Sequence, residues 1–502
     1  MFPPSISGRG DLRSVLILLS LLQTVSVGCR GKDRHRPDPP PVWSEDARHG
    51  GEDPESLYLN PPQMLPLVDE SCTPGEAVDR FDADLHVWQW QTGGVGLLPG
   101  SGLNLTSMPH LSGQVIAGTR HGMDVRDYGW CRMEPGGYCA DIPGPGVAPP
   151  SELRSPGSPV VLCRADGDYI EMSVEATSLT GASLVEEAWN HYQNMNGAIA
   201  PAPKLTLQVH PRFDTYYKVV NPGENDPSGF IWSLTDNAAW GILGGERLLL
   251  IFPRGKRSFT RGINGNLWQI PFVMAHELGH HVFDVHLTAL RPEVSGNAFA
   301  GFTPRIRRLY PDTLSLQQAG AGDHRIAHEM SWRALGEGFA DLFAFYAGGQ
   351  DESAIDAITF LKEDRNLRYN RFRDGTEKIL DPENLDRFLH SRWIPAGTDW
   401  TDEHVVGAVW AYGVYDLLGG SDGEDLLLAW LDGLVKHISQ PPAAAGKTWV
   451  FQQALLALLE IAEPVPCAPV QHIFGPLLQD DAAGDELVIR TIQGESRFAC
   501  AP

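Results

Sequence analysis

The sequence is short of basic residues, with 39 lysines and arginines against 63 aspartates and glutamates, a formal net charge of −24 over 502 residues. A chain this acidic repels phosphate backbones, which argues against nucleic acid as a partner. The sequence also lacks internal repeats and long low-complexity tracts. Its hydrophobic content of 42% excludes a disordered protein and predicts a large folded core.

Long hydrophobic runs are also scarce, and the apolar run at 14–27 is too short to span a bilayer comfortably. It follows a segment that carries arginines, an arrangement typical of a secretory signal peptide, which we place at residues 1–28. We therefore expect an exported protein that is extracellular, periplasmic or lipid-anchored at the cell surface. The sequence around Cys29 resembles a lipoprotein processing box, except that Ser26 stands where an aliphatic residue is expected. Lipidation of Cys29 and ordinary signal-peptide cleavage both stay open, and a lipid anchor is the only membrane contact predicted.

Cysteine is rare, with seven residues in the chain, and none has the paired short spacing of a zinc ribbon. If Cys29 is lipidated, the remaining six form an even set, which favours three disulfides in an oxidising compartment. We expect Cys467 to pair with Cys500, because no other cysteine lies in that half of the chain.

Composition divides the rest of the chain into three parts. Residues 29–70 are polar and rich in proline, which predicts an extended tether. Residues 71–170 have short apolar patches between glycine and proline turns and carry four cysteines, which predicts a small β-rich region stapled by disulfides. Residues 171–502 predict one α+β domain, with a mixed α/β lobe over 171–288 and a mainly helical lobe over 289–502. Hydrophobic periodicity places its helices at 178–195, 267–287, 330–348, 404–418, 423–437 and 447–462 and its strands at 204–209 and 246–252.

Residues 276–280, His-Glu-Leu-Gly-His, form the HExxH pattern within a segment predicted to be helical. Positions four apart on a helix lie only about 40° from one another, so the imidazoles of His276 and His280 can reach one metal ion. Glu277 lies beside that face, where its carboxylate can take a proton from metal-bound water. The pattern predicts a zinc site with two histidine ligands and Glu277 as the general base.

A catalytic zinc site needs a third protein ligand and an open fourth position, and two residues compete for the third place. His286 lies ten residues after His276, where metzincin peptidases place their third histidine, but Phe283 stands where those peptidases need a glycine. Glu337 and Asp341 share one face of a predicted helix with apolar neighbours, and a buried carboxylate there would need a partner such as a metal ion. We favour Glu337 as the ligand, with Asp341 accepting a hydrogen bond from a ligand histidine.

Four segments, taken in order, resemble the glutamate-zincin metallopeptidases of the thermolysin and fungalysin type. They are residues 237–240 (NAAW), residues 276–280 followed by Asp284, residues 336–341 (GEGFAD) and residues 404–411 (HVVGAVWA). The resemblance implies a thermolysin-like α+β fold, with a mixed-sheet N-terminal lobe, a helical C-terminal lobe and the active-site helix between them. It also implies zinc-dependent hydrolysis of peptide bonds, with Glu337 as the third ligand and with Asp341 and Asp284 among the residues that surround the ligands.

The resemblance further assigns a substrate strand and a transition-state donor. The residues that it implies hold the substrate peptide are Asn237, Ala238 and Trp240. His404 is implied to stabilise the transition state. Asp399 or Asp402, close before it in the chain, would then hold His404 in its donating form.

Some parts of the chain depart from this family pattern. The interval between His280 and Glu337 is longer than usual, which predicts an inserted surface loop or lid over 288–330. His324 and His328 in that interval are expected to be solvated helix residues rather than ligands of a second metal. The nearest candidates for the family's tyrosine and substrate-binding arginine are Tyr310, Arg371 and Arg373.

The sequence therefore predicts a secreted or surface-anchored zinc endopeptidase that acts as a monomer on a peptide or protein, with one catalytic Zn²⁺. A Ca²⁺ site stays open as well. Acidic clusters such as Asp480-Asp481 are more typical of solvated turns than of calcium sites. Three alternatives also stay open. They are a catalytically inactive binding protein with a structural zinc, a metzincin-type peptidase that uses His286, and a metal-dependent hydrolase of a non-peptide substrate.

Overall fold

The computed structural model describes the chain from residue 86 to residue 478, with gaps. The described segments are strands between 86 and 159 and residues 174–200, 203–209, 212–219, 228–233, 237–243, 246–252, 266–290, 325–348, 364–390, 403–438, 446–462 and 467–478. The predicted signal peptide, the predicted tether, Cys29 and Cys500 lie outside these segments. Cys467 is the first residue of a helix. Its pairing with Cys500 stays a prediction, because Cys500 is not among the described residues.

The strands are short and lie in the first half of the chain. In chain order they are β1 His86–Gln91, β2 Gly94–Pro99, β3 Val115–Ala117, β4 Arg120–Met123, β5 Cys131–Glu134, β6 Tyr138–Asp141, β7 Arg154–Ser155, β8 Ser158–Pro159, β9 Thr206–Val209, β10 Arg212–Val219, β11 Ser228–Ser233, β12 Ala238–Leu243 and β13 Glu246–Ile251. They form a five-stranded sheet, a four-stranded sheet and the two hairpins β1–β2 and β5–β6.

The five-stranded sheet has the order β12-β13-β9-β3-β8 and is mixed. Strands β13, β9 and β3 run parallel, whereas β12 is antiparallel to β13 and β8 is antiparallel to β3. All four residues of β9 are buried, as expected for a central parallel strand. Strand β12 is at one end of the described sheet. Because β3 and β8 come from the 71–170 region, the sheet crosses the domain boundary that the sequence places near residue 170.

The second half of the described chain is mainly helical. In chain order the helices are α1 Val174–Asn194, α2 Pro271–Leu290, α3 Arg325–Ala347, α4 Pro382–His390, α5 Glu403–Leu417, α6 Glu424–His437, α7 Trp449–Ile461 and α8 Cys467–Phe474. The helix predicted over 267–287 starts later, at Pro271, because residues 267–269 form a separate 3-10 turn and proline suits the first position of a helix. None of the helices in the described segments has both the length and the apolar composition required to cross a bilayer.

Helix α3 lies between α2 and α5, and glycines allow both close contacts. A Cβ atom on Gly279 of α2 would come within 2.8 Å of the Cα of Ala340 on α3. A Cβ atom on Gly338 of α3 would come within 2.7 Å of the Gly407 carbonyl oxygen on α5. Real Cβ atoms cannot approach a backbone this closely, so the two crossings depend on hydrogen in place of a side chain. They bring the HExxH residues, the Glu337 segment and the start of α5 into one region.

Aromatic packing fills the space behind these crossings. Phe283 of α2 packs against Trp332 and Phe339 of α3, with ring centroids 4.7 and 5.6 Å apart. Trp410 of α5 is fully buried between Phe451 and Phe474, at centroid distances of 5.3 and 4.5 Å. A rigid aromatic core of this kind holds the three helices in fixed relative positions.

The expectation that His328 is a solvated helix residue is wrong. Its side chain is buried in α3, and its Nε2 atom lies 2.7 Å from the carbonyl oxygen of Gly446. The ring of Trp449 packs beside it at a centroid distance of 5.9 Å. The histidine is buried because α7 covers this end of α3, a contact that the local sequence does not indicate. His324 lies outside the described residues.

We predict opposite effects on stability from two glycine-to-alanine substitutions. Gly279→Ala should lower the free energy of unfolding by about 1–3 kcal/mol, because the new methyl group meets the α3 backbone. Gly336→Ala should leave it unchanged or raise it by up to about 1 kcal/mol, because no atom lies within 4 Å of that Cβ position and alanine favours the helix. Urea denaturation with a metal chelator present measures both values. Equal effects of the two substitutions would contradict the close crossing.

Candidate metal centre

Two histidines of α2 and one glutamate of α3 meet at the α2–α3 crossing. The Nε2 atoms of His276 and His280 lie 3.1 Å apart, and the two rings are nearly perpendicular at 89°. The Glu337 carboxylate lies opposite them, with one oxygen 3.4 Å from Nε2 of His276 and the other 3.6 Å from Nε2 of His280. The structure thus brings together the three residues that the sequence predicts as metal ligands.

The donor set of this cluster suits a divalent metal ion. One ligand atom from each of His276, His280 and Glu337 lies within 4.8 Å of the others. The Oε2 atom of Glu337 is buried and accepts no hydrogen bond of good geometry. A buried carboxylate oxygen of this kind is stabilised by a cation. Two imidazole nitrogens and one carboxylate oxygen, with a further position left open, form the ligand set of many catalytic zinc sites.

The charges around the cluster keep Glu337 ionised. Burial alone would raise the pKa of the Glu337 carboxyl group, but electrostatic attraction to the neighbouring imidazoles of His404 and His280 holds that pKa well below its usual value. For His276, burial lowers the pKa, while the neighbouring carboxylates of Asp341 and Glu337 raise it to about 10. The cluster therefore carries ionised acceptors that attract positive charge to the point where the ligand atoms meet.

Asp341 holds the ring of His276 in place. Its Oδ1 atom lies 2.9 Å from Nδ1 of His276 and accepts a hydrogen bond of 2.5 Å from Nη1 of Arg365. This leaves Nε2 of His276 directed at Glu337, which is the role that a second carboxylate plays at a metal-bound histidine. Arg365 and the fully buried Lys378, which donates to the Asn366 carbonyl at 2.8 Å, were not identified from the sequence. They belong to the 364–390 segment, and no short motif links that segment to the HExxH helix.

Glu277 lies beside the ligands but is not one of the three clustered residues. The backbone N–H of Trp240 donates a hydrogen bond to its carboxylate, so strand β12 contacts the helix at this point. Burial raises the pKa of the Glu277 carboxyl group, although the neighbouring His276 and His280 act to lower it. A buried carboxyl group whose pKa is raised is suited to accept a proton and then donate it.

His404 joins the cluster from α5. Its Nε2 atom lies 3.3 Å from Oε2 of Glu337, the same oxygen that faces Nε2 of His276 at 3.4 Å. The α3–α5 crossing makes this approach available, since Gly407 is only one helical turn away from His404. Asp399 and Asp402, which the sequence suggests as partners of His404, lie outside the described residues.

His286, the competing third ligand, is placed elsewhere. Its side chain is fully buried, its Nδ1 atom lies 2.6 Å from Oδ1 of Asp432 on α6, and its Nε2 atom lies 3.1 Å from the hydroxyl group of Tyr192 on α1. Both ring nitrogens therefore have partners away from the cluster. On an unbroken α2 helix, His286 faces α1 and α6, whereas His276 and His280 face α3.

The remaining predicted site residues are divided between the sheet and the 364–390 segment. Asn237 is buried, and its carbonyl oxygen accepts a 2.9 Å hydrogen bond from the backbone N–H of Phe252, while Ala238 and Trp240 lie on β12. Arg371 and Arg373 are exposed, and Arg371 pairs with Glu377. Neither arginine is brought to the His–Glu cluster by a contact in the described part of the chain. Tyr310 lies outside the described residues.

We predict that the two aspartates bonded to α2 histidines differ in their importance for metal binding. Asp341→Asn should weaken zinc affinity by about 10- to 100-fold, because His276 loses the carboxylate that orients its ring. Asp432→Asn should leave zinc affinity unchanged, because Asp432 contacts His286. Competition with a chromophoric chelator measures both affinities. A larger loss in the Asp432 variant would place the metal at His286 instead.

The geometry on α2, α3 and α5 is the basis on which a function can be assigned. No protein family model, curated protein or solved structure matches this chain. The functional assignment therefore depends on which side chains converge, how deeply they are buried and which charges they carry.

Proposed function

We propose that the protein is an exported zinc-dependent endopeptidase that hydrolyses peptide bonds. One observation carries the proposal: His276, His280 and Glu337 converge on one point, and the carboxylate of Glu277 lies beside them without being one of the three. A purely structural zinc site uses all four positions for protein ligands. A three-residue ligand set with an acid–base carboxylate beside it is the arrangement that hydrolysis requires.

In the proposed reaction a metal ion would activate water, and the side chains around it transfer protons. A zinc ion held by His276, His280 and Glu337 would act as a Lewis acid and make water available as a nucleophile near neutral pH. Glu277 accepts the proton of the attacking water and later delivers it to the leaving amine. Its buried position supports this role, because burial favours the protonated form and makes the carboxyl group a usable acid.

His404 supplies a hydrogen-bond donor for the charge that develops on the scissile carbonyl oxygen. The ring is held beside the Glu337 carboxylate, with 3.3 Å between Nε2 of His404 and Oε2 of Glu337. A fixed donor in a buried site stabilises an oxyanion more than water does, because its dipole is already oriented.

The substrate is proposed to bind along β12. This strand lies at the end of the described five-stranded sheet, and residues on it contact α2 next to Glu277. An extended peptide that pairs with such an edge is held by backbone hydrogen bonds. Backbone pairing tolerates many side chains, so we expect an endopeptidase of broad specificity.

We predict that Glu277→Gln retains zinc but loses hydrolysis. The substitution keeps the shape of the side chain and removes its proton acceptor, so kcat on an unfolded protein such as casein should fall by about 100- to 10,000-fold. Zinc content by atomic absorption should equal that of the wild type. A chelator should abolish wild-type turnover, and added zinc should restore it. Unchanged turnover in the variant, or zinc-loaded wild type that cleaves no peptide, would refute the proposed peptidase.

We predict that Glu337→Gln loses most of its bound zinc, because a neutral amide replaces the ionised ligand. His286→Gln is the matched control, since His286 also lies on α2 but has Tyr192 and Asp432 as its partners. Metal content is measured after dialysis, with circular dichroism to check that both variants are folded. Zinc loss in the His286 variant, with retention in the Glu337 variant, would favour a metzincin-type ligand set.

A further inference from the structure

Helix α2 carries a second polar stripe in addition to the two metal-facing histidines. Glu277, His281, Asp284 and Thr288 follow one another at intervals of four, three and four residues, so they share one face of the helix. Glu277, His281 and Asp284 are buried. Buried polar side chains need partners, and here the partners come from the β12–β13 hairpin.

Trp240 of β12 contacts two members of this stripe. Its backbone N–H donates to the Glu277 carboxylate, and its indole Nε1–H donates to Nδ1 of His281 at 3.2 Å. One residue of the strand is therefore attached to the helix at two positions that are one turn apart. The two contacts use different parts of Trp240, so they restrain both the position of the strand and its rotation about its own axis.

The next strand continues the same contact. Arg247 of β13 donates from Nε to Oδ2 of Asp284 at 2.8 Å, and its Nη2 atom lies 3.5 Å from the hydroxyl oxygen of Thr288. The hairpin thus follows the stripe along the length of α2. An ion pair between a partly buried arginine and a buried aspartate adds a directional, charge-assisted hydrogen bond to this attachment.

The protonation state of His281 follows from its partner. An indole N–H can only donate, so Nδ1 of His281 must be the unprotonated acceptor, and the ring is neutral with its proton on Nε2. The side chain is fully buried, and its ring packs against Trp240 and Trp189 at centroid distances of 6.1 and 6.2 Å. Because His281 faces the strand rather than Glu337, it has no place among the metal ligands.

We propose that His281 is a positioning residue that holds the edge strand β12 in register against the active-site helix. This inference rests on the proposed function in one respect, since the strand that His281 holds is the one proposed to pair with the substrate. His281 touches neither the reacting atoms nor the three ligand atoms. It acts through Trp240, whose backbone meets Glu277 and whose strand sets where an extended peptide lies relative to that carboxylate.

A pair of substitutions at His281 separates this role from simple packing. His281→Asn keeps an acceptor oxygen close to the place of Nδ1, whereas His281→Leu fills similar space without an acceptor. Both variants should retain zinc, because neither removes a ligand. For peptides long enough to pair with β12, His281→Leu should raise KM about five- to tenfold with a much smaller change in kcat, and His281→Asn should restore most of the loss. An unchanged KM in the leucine variant, or equal losses in both variants, would overturn the proposal.

Hydrogen–deuterium exchange tests the same contact without reference to activity. In the zinc-loaded protein, peptides that cover Ala238–Leu243 should exchange about fivefold faster in His281→Leu than in the wild type, with His281→Asn close to the wild type. Unaltered exchange of β12 in the leucine variant would overturn the proposal even if hydrolysis persists. If the wild type cleaves no peptide, the peptidase assignment fails, and the exchange result still decides whether His281 holds the strand.

Trp240→Phe provides an independent test if the leucine variant does not fold. It removes the indole donor and keeps an aromatic ring, so exchange of β12 should increase as in His281→Leu. Combining Trp240→Phe with His281→Phe, which keeps an aromatic ring but removes the acceptor nitrogen, should give no further increase, because each change removes one partner of the same hydrogen bond. Additive effects of the two substitutions would show that the side chains act separately and would overturn the proposal.

Discussion

The close crossing of α3 with its two neighbours is the constraint on which the site depends. Gly279 meets the backbone of Ala340, and Gly338 meets the backbone of Gly407, at distances that leave no room for a side chain. A glutamate has a short reach, so its carboxylate can contact imidazoles on two other helices only if all three backbones lie close together. The glycines of these three segments therefore allow the close packing that brings the polar residues between them to the candidate metal centre.

The candidate metal centre buries several ionisable groups, and the desolvation cost of each buried charge must be offset by a partner of opposite charge. Glu337 and Asp341 are both buried acids, and each is held ionised by positive neighbours despite its burial. Arg365 and His276 both contact Oδ1 of Asp341, so this carboxylate has a permanent positive charge beside it. The groups that hold Glu337 ionised are imidazoles, which carry a full positive charge only when protonated. A divalent cation would supply that charge permanently, and the electrostatics of the site therefore agree with the ligand geometry.

Helix α2 assigns different tasks to histidines on its different faces. His276 and His280 face Glu337, His281 faces the indole of Trp240, and His286 faces Tyr192 and Asp432. The helical repeat separates these directions, so one helix contacts the candidate metal centre, strand β12 and the helices α1 and α6. The same geometry explains why His286 does not join His276, His280 and Glu337. The helix continues unbroken to Leu290, so the side chain of His286 points to a different side of α2.

What followed from the sequence alone was local. The approximate positions of six helices, the shared face of His276 and His280, and the shared face of Glu337 and Asp341 all follow from a repeat of 3.6 residues, which a single segment determines. Only the tertiary structure decided the long-range contacts. Among these are the Arg365–Asp341 ion pair and the Trp240–His281 hydrogen bond. The burial of His328 and the pairing of β3 with β9 across the expected domain boundary are two more. These contacts join segments that are far apart in the chain. Their geometry is set by helix crossings and sheet order, and neither leaves a periodic signal in the sequence.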